Sequence, residues 1–535
     1  MGILSSGDQP PAGLRWRAGY VYVTFVVWLG IAVDMLVYSI VVPVMPFQLE
    51  RLGYDNVSSL TGWLLFGYSA GLALTTFPAA MLSERYNARQ WPLLLGIFLL
   101  IGSIIMLMEA PTYWVMVVAR ALQGVGSTMV WVVGLALLCD TTPERITGSK
   151  VIIIPLDFSL TPLFVLGQLG FAMSGMSVGF LLGPPIGGVV YKRFGFRGVC
   201  IFGIIGAVID LIARLIVIER KDALEWGFDP QSVILPETPE NDLSSTNVQE
   251  EDAPGSPQEE AKEGTSTAIE EHNRQASIRS REVAGPHASN EKETNTGVTA
   301  TAPQLSLLAV LIKLFKSSRA MATVVCFFVH GAVTTAFEPA LPVHMKEVWN
   351  FDSAKVGLVF VAAVVPTFPA SAVAGYLTDK FGAPPIAVTS FLLSIPWWCL
   401  LTINNLGLFI TSFALEFFFV NATLAPFTAE LADVARHIEG IGYAHVYAAF
   451  NLAYGMGSTV GPVMGGQIYD GVEEGWSTLC FVNVGWVFFA SVVGFFFVGE
   501  RPLSKRLAGL FIKSRNPNLL CESNVSTSSD KKVET

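Results

Sequence analysis

The stretch GFLLGPPIGG at residues 179–188 places four glycines and two prolines inside an apolar run, and GSTVGPVMGG at 457–466 repeats its frame. Small residues four positions apart let a second helix approach closely, and a proline inside a helix bends it and frees backbone carbonyls. The frame, called here the glycine motif, therefore predicts one bent, tightly packed helix in each of two corresponding positions. We interpret the two helices as pivots of a rocking movement; close packing without a gating role is the alternative.

Each copy of the glycine motif contributes the same five positions. They are Gly179, Gly183, Pro184, Gly187 and Gly188 in the first copy and Gly457, Gly461, Pro462, Gly465 and Gly466 in the second.

The composition around the motif is that of a membrane protein. Of 535 residues, 52% are hydrophobic and only 14% are charged, whereas a soluble domain carries about a quarter charged residues. Apolar runs of about 20 residues, the length that a bilayer core requires, fall in two groups of six. They lie at 18–42, 59–81, 91–109, 113–139, 168–191 and 199–218, and at 321–343, 355–376, 384–403, 406–428, 442–468 and 478–498.

These runs predict an all-α polytopic protein of 12 transmembrane helices in two six-helix halves, because they lack the alternation of a membrane barrel. The halves align with each other: Pro43 and Pro46 in VVPVMPFQLERLG match Pro339 and Pro342 in FEPALPVHMKEVW. The predicted domains are an N-tail (1–17), an N-terminal bundle (18–218), a linker (219–320), a C-terminal bundle (321–498) and a C-tail (499–535).

The linker has the composition of a disordered, acidic tether. Residues 222–300 hold 17 acidic and five basic residues, an excess larger than the net charge of −10 of the whole chain. The net negative charge of the chain therefore comes from this loop and gives no information about a ligand. Six cysteines occur singly, without the spacing of a zinc site or a disulfide framework.

The basic residues beside the spans orient them, since cytosolic loops carry an excess of Lys and Arg. Arg15, Arg17, Arg85 and Arg89 mark one side as cytosolic, and both tails lie on that side. The loop between the first two spans then faces outward, so Asn56 in the NVS triplet is the expected glycosylation site.

Three motifs, one of them the first glycine motif, resemble those of the major facilitator superfamily. The resemblance extends over nearly the whole chain outside the linker and tails. RALQGVGS (120–127) resembles the Arg-x-x-Gln-Gly-x-Gly of its fourth helix, and GFLLGPPIGG resembles the fifth-helix signature of its drug:proton antiporters. GYLTDKFG (375–382) is close to the family's cytosolic loop motif, which is degraded in MLSERYNAR (81–89). The residues of this loop motif are Glu84, Arg85, Arg89, Asp379 and Lys380.

VDMLVYSIVVPVMP (33–46) is similar to the first helix of the vesicular amine transporter branch, and the resemblance places that branch's aspartate on Asp34. The branch carries two further aspartates, in its tenth and eleventh helices, where this chain has Asn421 and Asn451. An amine cation would thus lose two counter-charges here.

Ionisable and polar residues inside the predicted spans are the candidate pathway, because intramembrane charges commonly mark ion or substrate paths. We interpret Asp34 as a proton or cation site; the alternative is that it makes a helix-end hydrogen bond. We interpret Arg120 as a proton-coupling or gating residue; the alternative is that it forms a structural ion pair. His330 is at the repeat position of Asp34, and pathway and core roles stay open for it and for Glu416. Asp210 and Arg214, four residues apart, are expected to pair. The complete predicted pathway is Asp34, Arg120, Gln123, His330, Glu416, Asn421 and Asn451.

Taken together, these patterns predict a proton-coupled exporter of a small organic compound in a plasma or vacuolar membrane. An uncoupled facilitator and a non-transporting membrane sensor are the alternatives. An enzyme, a metal, a cofactor, ATP drive and a nucleic-acid partner are not expected, since no nucleotide or metal motif occurs. The expected partners are the substrate, protons and the lipid bilayer, and the protein is expected to be monomeric.

Residues 150–167 do not fit this plan. The interval between Arg145 and Lys192 is too long for one span and a short loop. The hypothesis is that this segment is translated intron, because codons for SKV, SLT and VLG can supply a splice donor, a branch point and an acceptor. An ordinary functional insertion is the alternative.

Overall fold

The computed structural model describes residues 11–85, 89–141, 168–230, 316–436, 443–500 and 502–508, and every regular element within them is a helix. The N-terminal half contains α1 (Tyr20–Val41), α2 (Val57–Arg85) and α3 (Gln90–Met108). Its α4 consists of Tyr113–Thr128, a π-helical turn at Met129–Val133, and Gly134–Thr141. A single run, Gln168–Ile216, breaks at Gly195, whose φ is 68°; α5 precedes the break and α6 follows it.

The C-terminal half repeats this order. Its α7 consists of Ser318–Ala336 and Leu341–Trp349, and α8 of Ser353–Val364 and Thr367–Phe381. Next come α9 (Ala383–Leu400) and α10, which consists of Leu406–Asn421 and Leu424–Arg436. The last two helices are α11 (Tyr443–Gly471) and α12 (Gly475–Phe497). Three short helices, Leu14–Arg17, Met45–Arg51 and Arg220–Glu225, complete the described elements.

The helical fold and its apolar helices confirm the predicted all-α membrane architecture. Within the described residues, ten segments are long and apolar enough to cross a membrane. One of them, Phe171–Glu225, runs through the break at Gly195 and so covers two predicted spans, and Tyr443–Gly471 is not among the ten. The count of exactly twelve spans therefore stays a prediction.

The folded N-terminal half extends beyond the predicted linker boundary at 219. Glu219 is buried and accepts hydrogen bonds from the backbone N–H groups of Arg89 and Gln90, at the first turn of α3. Arg220 then pairs with Asp229 at 3.0 Å. Because these contacts satisfy otherwise unpaired helix-terminal donors, residues 219–229 belong to the bundle. The predicted linker from 231 to 315, and the hypothetical insertion at 150–167, lie outside the described residues, whereas residues 318–320 at the far end of the predicted linker belong to α7.

The helices have two ends, which we name by the residues they carry. The tail end carries Gly19, Arg89, Glu219, Ser317 and Gly499, and the loop end carries Asn56, Lys192, Asp352 and Asp470. The helices of the two glycine motifs, α5 and α11, each pack on the first helix of their own half and on one helix of the other half. Thus α5 contacts α1 and α8, while α11 contacts α7 and α2.

Candidate functional site

Asp34 lies in the middle of α1 and is fully buried. Its Oδ2 accepts hydrogen bonds from Ser127 Oγ at 2.6 Å, Trp131 Nε1 at 2.9 Å and Tyr68 Oη at 3.5 Å. Its Oδ1 has no hydrogen-bond partner among the described residues. One carboxylate oxygen is therefore held by three donors while the other is left available for a proton or a ligand.

The π-helical turn of α4 carries one of these donors and closely follows another. Trp131 lies within the turn, and Ser127 is the residue before Thr128, at which the regular part of the helix ends. A π turn inserts one extra residue into a helix and changes the direction of the side chains that follow, and such turns are frequent at functional sites. The sequence shows no signal for this turn, and neither Ser127 nor Trp131 was among the predicted site residues.

Arg120, about two helical turns before Ser127 on α4, is 1% exposed. Its Nη1 donates to Gln123 Oε1 at 2.8 Å, whereas its Nε and Nη2 have no partner among the described residues. Its guanidinium carbon lies 5.8 Å from the ring centre of Tyr38 and 6.0 Å from that of Tyr68. Aromatic faces stabilise a desolvated cation, so the described partners of the arginine are two rings and an amide, and no ion pair to it occurs among the described residues. A coupling or gating role for Arg120 stays a prediction.

Glu338 connects this cluster to the other half of the molecule. Glu338 lies two residues after the segment Ser318–Ala336 of α7. Tyr38 Oη on α1 donates a hydrogen bond to Glu338 Oε2 at 2.7 Å, and both side chains are buried. The Tyr38 ring in turn lies 4.7 Å from the ring of Tyr68, which reaches Asp34. Sequence reasoning left Glu338 out of the pathway. The signal that could have found it is the repeat alignment, in which this acid replaces Val42 directly before a shared proline.

The predicted site residues of the C-terminal half do not join the Asp34 cluster through any described hydrogen bond. His330 Nδ1 lies 3.3 Å from Thr423 Oγ1 on α10, and its ring faces Tyr454 of α11 at 5.9 Å. Asn421 donates to the Phe417 carbonyl of its own helix at 2.9 Å. The side chain of Asn451 lies outside the described residues.

One predicted ion pair and one buried acid remain to be placed. Asp210 and Arg214 form the expected ion pair at 3.0 Å, with both side chains buried. Glu416 of α10 is fully buried, and among the described residues neither of its carboxyl oxygens has a hydrogen-bond partner.

The glycine motif divides its contacts between the two halves. On α5, a Cβ atom at Gly179, Gly183 or Gly187 would overlap α1, whereas one at Gly188 would overlap the Ser353 carbonyl of α8. On α11, Gly457, Gly461 and Gly465 face α7, and Gly466 faces the Ser58 carbonyl of α2. Glycines at i, i+4 and i+8 share one helix face, and the next residue turns to the adjacent face. The last glycine of each motif therefore contacts the opposite half.

The contacts of the two motifs with the opposite half form a matched pair, which we call the seam. Gly357 of α8 lies against the Pro184 carbonyl, and Gly62 of α2 lies against the Pro462 carbonyl. Each partner helix thus presents a serine and a glycine four residues apart, Ser353 with Gly357 and Ser58 with Gly62. Serine hydrogen bonds add to this: Ser353 Oγ donates to the Gly188 carbonyl at 3.0 Å, and Ser59 Oγ to that of Gly466 at 3.1 Å.

Charged groups join the halves at the loop end. Lys192 Nζ donates to Asp352 Oδ2 at 2.7 Å, Lys346 pairs with Glu50, and the Ser59 N–H donates to Asp470 Oδ2 at 2.6 Å. The hydrogen bond from Lys192 lowers the pKa of Asp352 from its ordinary value. A carboxyl group whose pKa is lowered in the folded protein stabilises the fold at pH values above its ordinary pKa. This stabilisation is lost only as the pH falls through the lowered pKa. The contact between Lys192 and Asp352 at the loop end should therefore persist in mildly acidic solution.

The predicted loop motif lies at the tail end. Arg89 pairs with Asp140 of α4 at 2.8 Å, and Asp379 and Lys380 are exposed. The side chains of Glu84 and Arg85 lie outside the described residues. In the second half Arg319 pairs with Glu430 and with Asp433, the latter at 2.6 Å. Asn56 is exposed at the loop end, in the left-handed conformation with φ 53°.

Comparison with known proteins gives concordant results. The sequence profile of the Major Facilitator Superfamily matches residues 27–233 and 323–517. The MFS-type transporter ppzB of Metarhizium rileyi is 26% identical, over 92% of this chain and 98% of its own. The synaptic vesicular amine transporter of Bos taurus is 24% identical, over 77% of this chain and 62% of its own. The solved structure of the nucleoside transporter NupG has a TM-score of 0.59 at 9% identity, covering 88% of this chain and 98% of that one.

Proposed function

Because this chain belongs to the major facilitator superfamily and is a multi-pass membrane transporter, not an enzyme, we propose that it exchanges a small organic compound for protons. We place both tails in the cytosol, on the basis of the basic residues at the tail end. Outward movement of the compound is then export from the cell or loading of a vacuole.

The observation that carries the proposal is the asymmetric environment of Asp34. Burial favours a neutral carboxylic acid, whereas the three donors at Oδ2 favour the carboxylate. These effects oppose each other, so a change in hydration or in a nearby charge can load or release a proton. Oδ1, which has no partner among the described residues, is the oxygen at which the proton is taken up.

The same cluster offers a route by which proton binding reaches the other half. Tyr68 contacts both Asp34 and the Tyr38 ring, and Tyr38 in turn donates to Glu338 of the C-terminal half. A rearrangement of Tyr68 when Asp34 is protonated therefore changes a contact between the halves. Arg120, facing both tyrosine rings, supplies the positive charge that a bound anion or the carboxylate form of Glu338 would require.

Alternating access supplies the transport step. In the present structure the seam and the ion pairs close the loop end, so binding from the tail end corresponds to this conformation. Opening of the seam by rocking of one half against the other would release the compound at the loop end. The glycine motif gives this contact two equivalent sides, one on α5 and one on α11.

The test is transport by the full chain in sealed proteoliposomes, with an imposed pH gradient of either sign. A panel of cationic, neutral and anionic drugs and toxins serves as the set of probe compounds. We expect accumulation of at least one compound to follow the sign of the gradient and to collapse when a protonophore is added. Accumulation to equilibrium only, at a rate independent of the gradient, would make the protein an uncoupled facilitator.

A further inference from the structure

Glu416 of α10 and Asn483 of α12 are buried polar residues that the transport scheme above does not use. Both are fully buried, and among the described residues both oxygens of Glu416 and both polar atoms of the Asn483 amide have no hydrogen-bond partner. Buried polar groups in native structures almost always have a partner. These four atoms lie on two helices that both pack against α9.

The register of the two helices brings these residues to one level. Phe409 of α10 and Trp476 of α12 are in ring contact, with centroids 5.7 Å apart. Both helices run from the loop end toward the tail end, and Glu416 and Asn483 each follow the ring residue by seven positions. Seven residues are about two helical turns and about 10 Å of rise, so the two side chains lie at equal depth on the faces that carry the rings.

Neighbouring helices complete a polar lining. Trp476 Nε1 donates to the Leu401 carbonyl at 2.9 Å, which fixes α12 against the loop-end side of α9. One turn deeper on α9 lies Trp398, which is 1% exposed and whose Nε1 has no partner among the described residues. Ser412, one turn before Glu416, is equally buried and its Oγ is also unpartnered there.

The charged surroundings of Glu416 determine what this lining can bind. Among the described residues, the titratable group that interacts electrostatically with Glu416 is a thiol, that of Cys480 of α12, and beyond it lies Cys399 of α9. Toward the loop end, the ring of His344 of α7 stacks on Trp476 at 4.2 Å. No described lysine or arginine compensates the charge of Glu416, so a buried carboxylate would be costly there, whereas the neutral acid can exist.

We propose that Glu416 and Asn483 form a second proton-binding site, enclosed between α9, α10 and α12 and separate from Asp34. In the protonated form the carboxylic acid O–H donates toward Asn483 Oδ1 and the carboxyl oxygen accepts from Asn483 Nδ2, in each case through a bridging water molecule. Release of the proton leaves the carboxylate to accept from Asn483 Nδ2, Trp398 Nε1 and Ser412 Oγ. Each state thus finds partners in the same lining.

Infrared difference spectroscopy of the full-length protein in lipid nanodiscs tests this site without a transported compound. The probe is the proton itself, with the bath changed between acidic and alkaline pH and between H₂O and D₂O. We expect a carboxylic-acid carbonyl band at neutral pH that shifts in D₂O and is lost in Glu416→Gln. Asp34→Asn makes the same acid-to-amide change in the other half and serves as the control, in which this band should remain.

A second variant covers the case in which Glu416→Gln does not fold, as judged by its thermal unfolding. Asn483→Leu keeps the acid but removes its amide partner, so the carbonyl band should persist and move to the frequency of a less strongly hydrogen-bonded acid. An unchanged band in Glu416→Gln, or an unchanged frequency in Asn483→Leu, would overturn the proposal. Either failure would leave the exchange of compound for protons through Asp34 standing, because the measurement does not depend on transport.

Discussion

Asp34 is the residue at which proton coupling can be separated from folding. Asn has nearly the shape of Asp but cannot be ionised, so Asp34→Asn should remove gradient-driven transport, by at least tenfold, while thermal stability stays near that of the wild type. Uptake by proteoliposomes under a pH gradient measures the loss, and substrate–substrate exchange without a gradient is the internal control. Gradient-driven transport at the wild-type rate would exclude Asp34 as the coupling site.

Removal of one hydrogen-bond donor to Asp34 gives a second test in the same assay. Trp131→Phe keeps an aromatic ring and removes the hydrogen bond from Nε1. A hydrogen bond to a charged group contributes roughly 1.5–3 kcal/mol, so the proton affinity of Asp34 should rise when this bond is lost. We expect the pH profile of transport in Trp131→Phe to move to more alkaline values. Phe25→Leu, on the same helix as Asp34 but with an exposed side chain, should leave the profile unchanged.

Arg120 should tolerate no replacement, not even by another cation. Its guanidinium is held between an amide oxygen and two tyrosine rings, and an ammonium cannot reproduce that planar fork. Arg120→Lys should therefore transport at no more than a few per cent of the wild-type rate in the same proteoliposomes. Wild-type transport by Arg120→Lys would show that the positive charge of Arg120 is all that transport requires of it.

His330→Gln tests whether the residue at the repeat position of Asp34 has any role beyond packing.

At this scale the sequence predicts which residues are buried and charged but not which of them meet. The spacing of Asp210 and Arg214 is enough to predict their pairing, because both lie on one helix. The contact of Tyr38 with Glu338 crosses between the halves, and Trp131 reaches Asp34 through a π turn. Neither contact has a local sequence signal. Asn421, predicted in the pathway, uses its amide on a backbone carbonyl of its own helix.

At the scale of the helices, the seam is the feature that decides which end is closed. A Cβ atom at Gly188 would overlap the Ser353 carbonyl, whereas one at Gly455 of α11 meets nothing within 4 Å. Gly188→Ala should therefore oppose closure at the loop end by about 1–3 kcal/mol, the usual cost of overpacking. Gly455→Ala is the matched control, a glycine-to-alanine change on the other motif helix.

Labelling of an introduced cysteine measures that change. In a background with Ser59→Cys, a residue 9% exposed in the closed seam, a membrane-impermeant maleimide added at the loop end should react slowly. The reaction should be roughly five- to 150-fold faster after Gly188→Ala, the ratio to which the expected free energy corresponds. Equal rates in Gly188→Ala and Gly455→Ala would show that the seam does not control access.

The glycine motif was predicted to pack closely, and it does so because its glycines leave room for backbone contact. The sequence could not show that adjacent glycines contact different helices: Gly187 faces α1, whereas Gly188 faces α8. That difference depends on where the other half lies. The serine and glycine four residues apart on α2 and α8 are the complementary signal, and it is visible in the sequence once the seam is known.

At the scale of the whole molecule, glycosylation tests the proposed orientation. Asn56 is exposed at the loop end, so it should be glycosylated during passage through a secretory pathway. Treatment with a glycosidase should shift the protein on a gel, and Asn56→Gln should abolish that shift. The triplets at Asn421, within α10, and Asn524, in the C-tail, should stay unmodified. A shift that survives Asn56→Gln would reverse the assigned sides.

The segment 150–167 gives a prediction about the length of the working chain. Removal of 54 nucleotides, from within codon 149 to the first base of codon 167, is in frame and removes 18 residues, leaving Ser or Arg before Gln168. We expect sequencing of the transcript to show this excision, and the shortened protein to transport faster than the full-length form. Retention of the 54 nucleotides in every mature transcript would refute the hypothesis.

The seam also has a thermal consequence. Fixing a long side chain costs up to about 2 kcal/mol of conformational entropy, whereas glycine and proline have almost none to lose. Where Gly188 meets Ser353, and Gly62 meets Pro462, closure brings backbone against backbone. Among the described residues at this rim, the longer side chains that are immobilised belong to two ion pairs, Lys192 with Asp352 and Lys346 with Glu50. The seam can therefore be made and broken in every cycle with little ordering and disordering of side chains, and the balance between its two states should change little on warming.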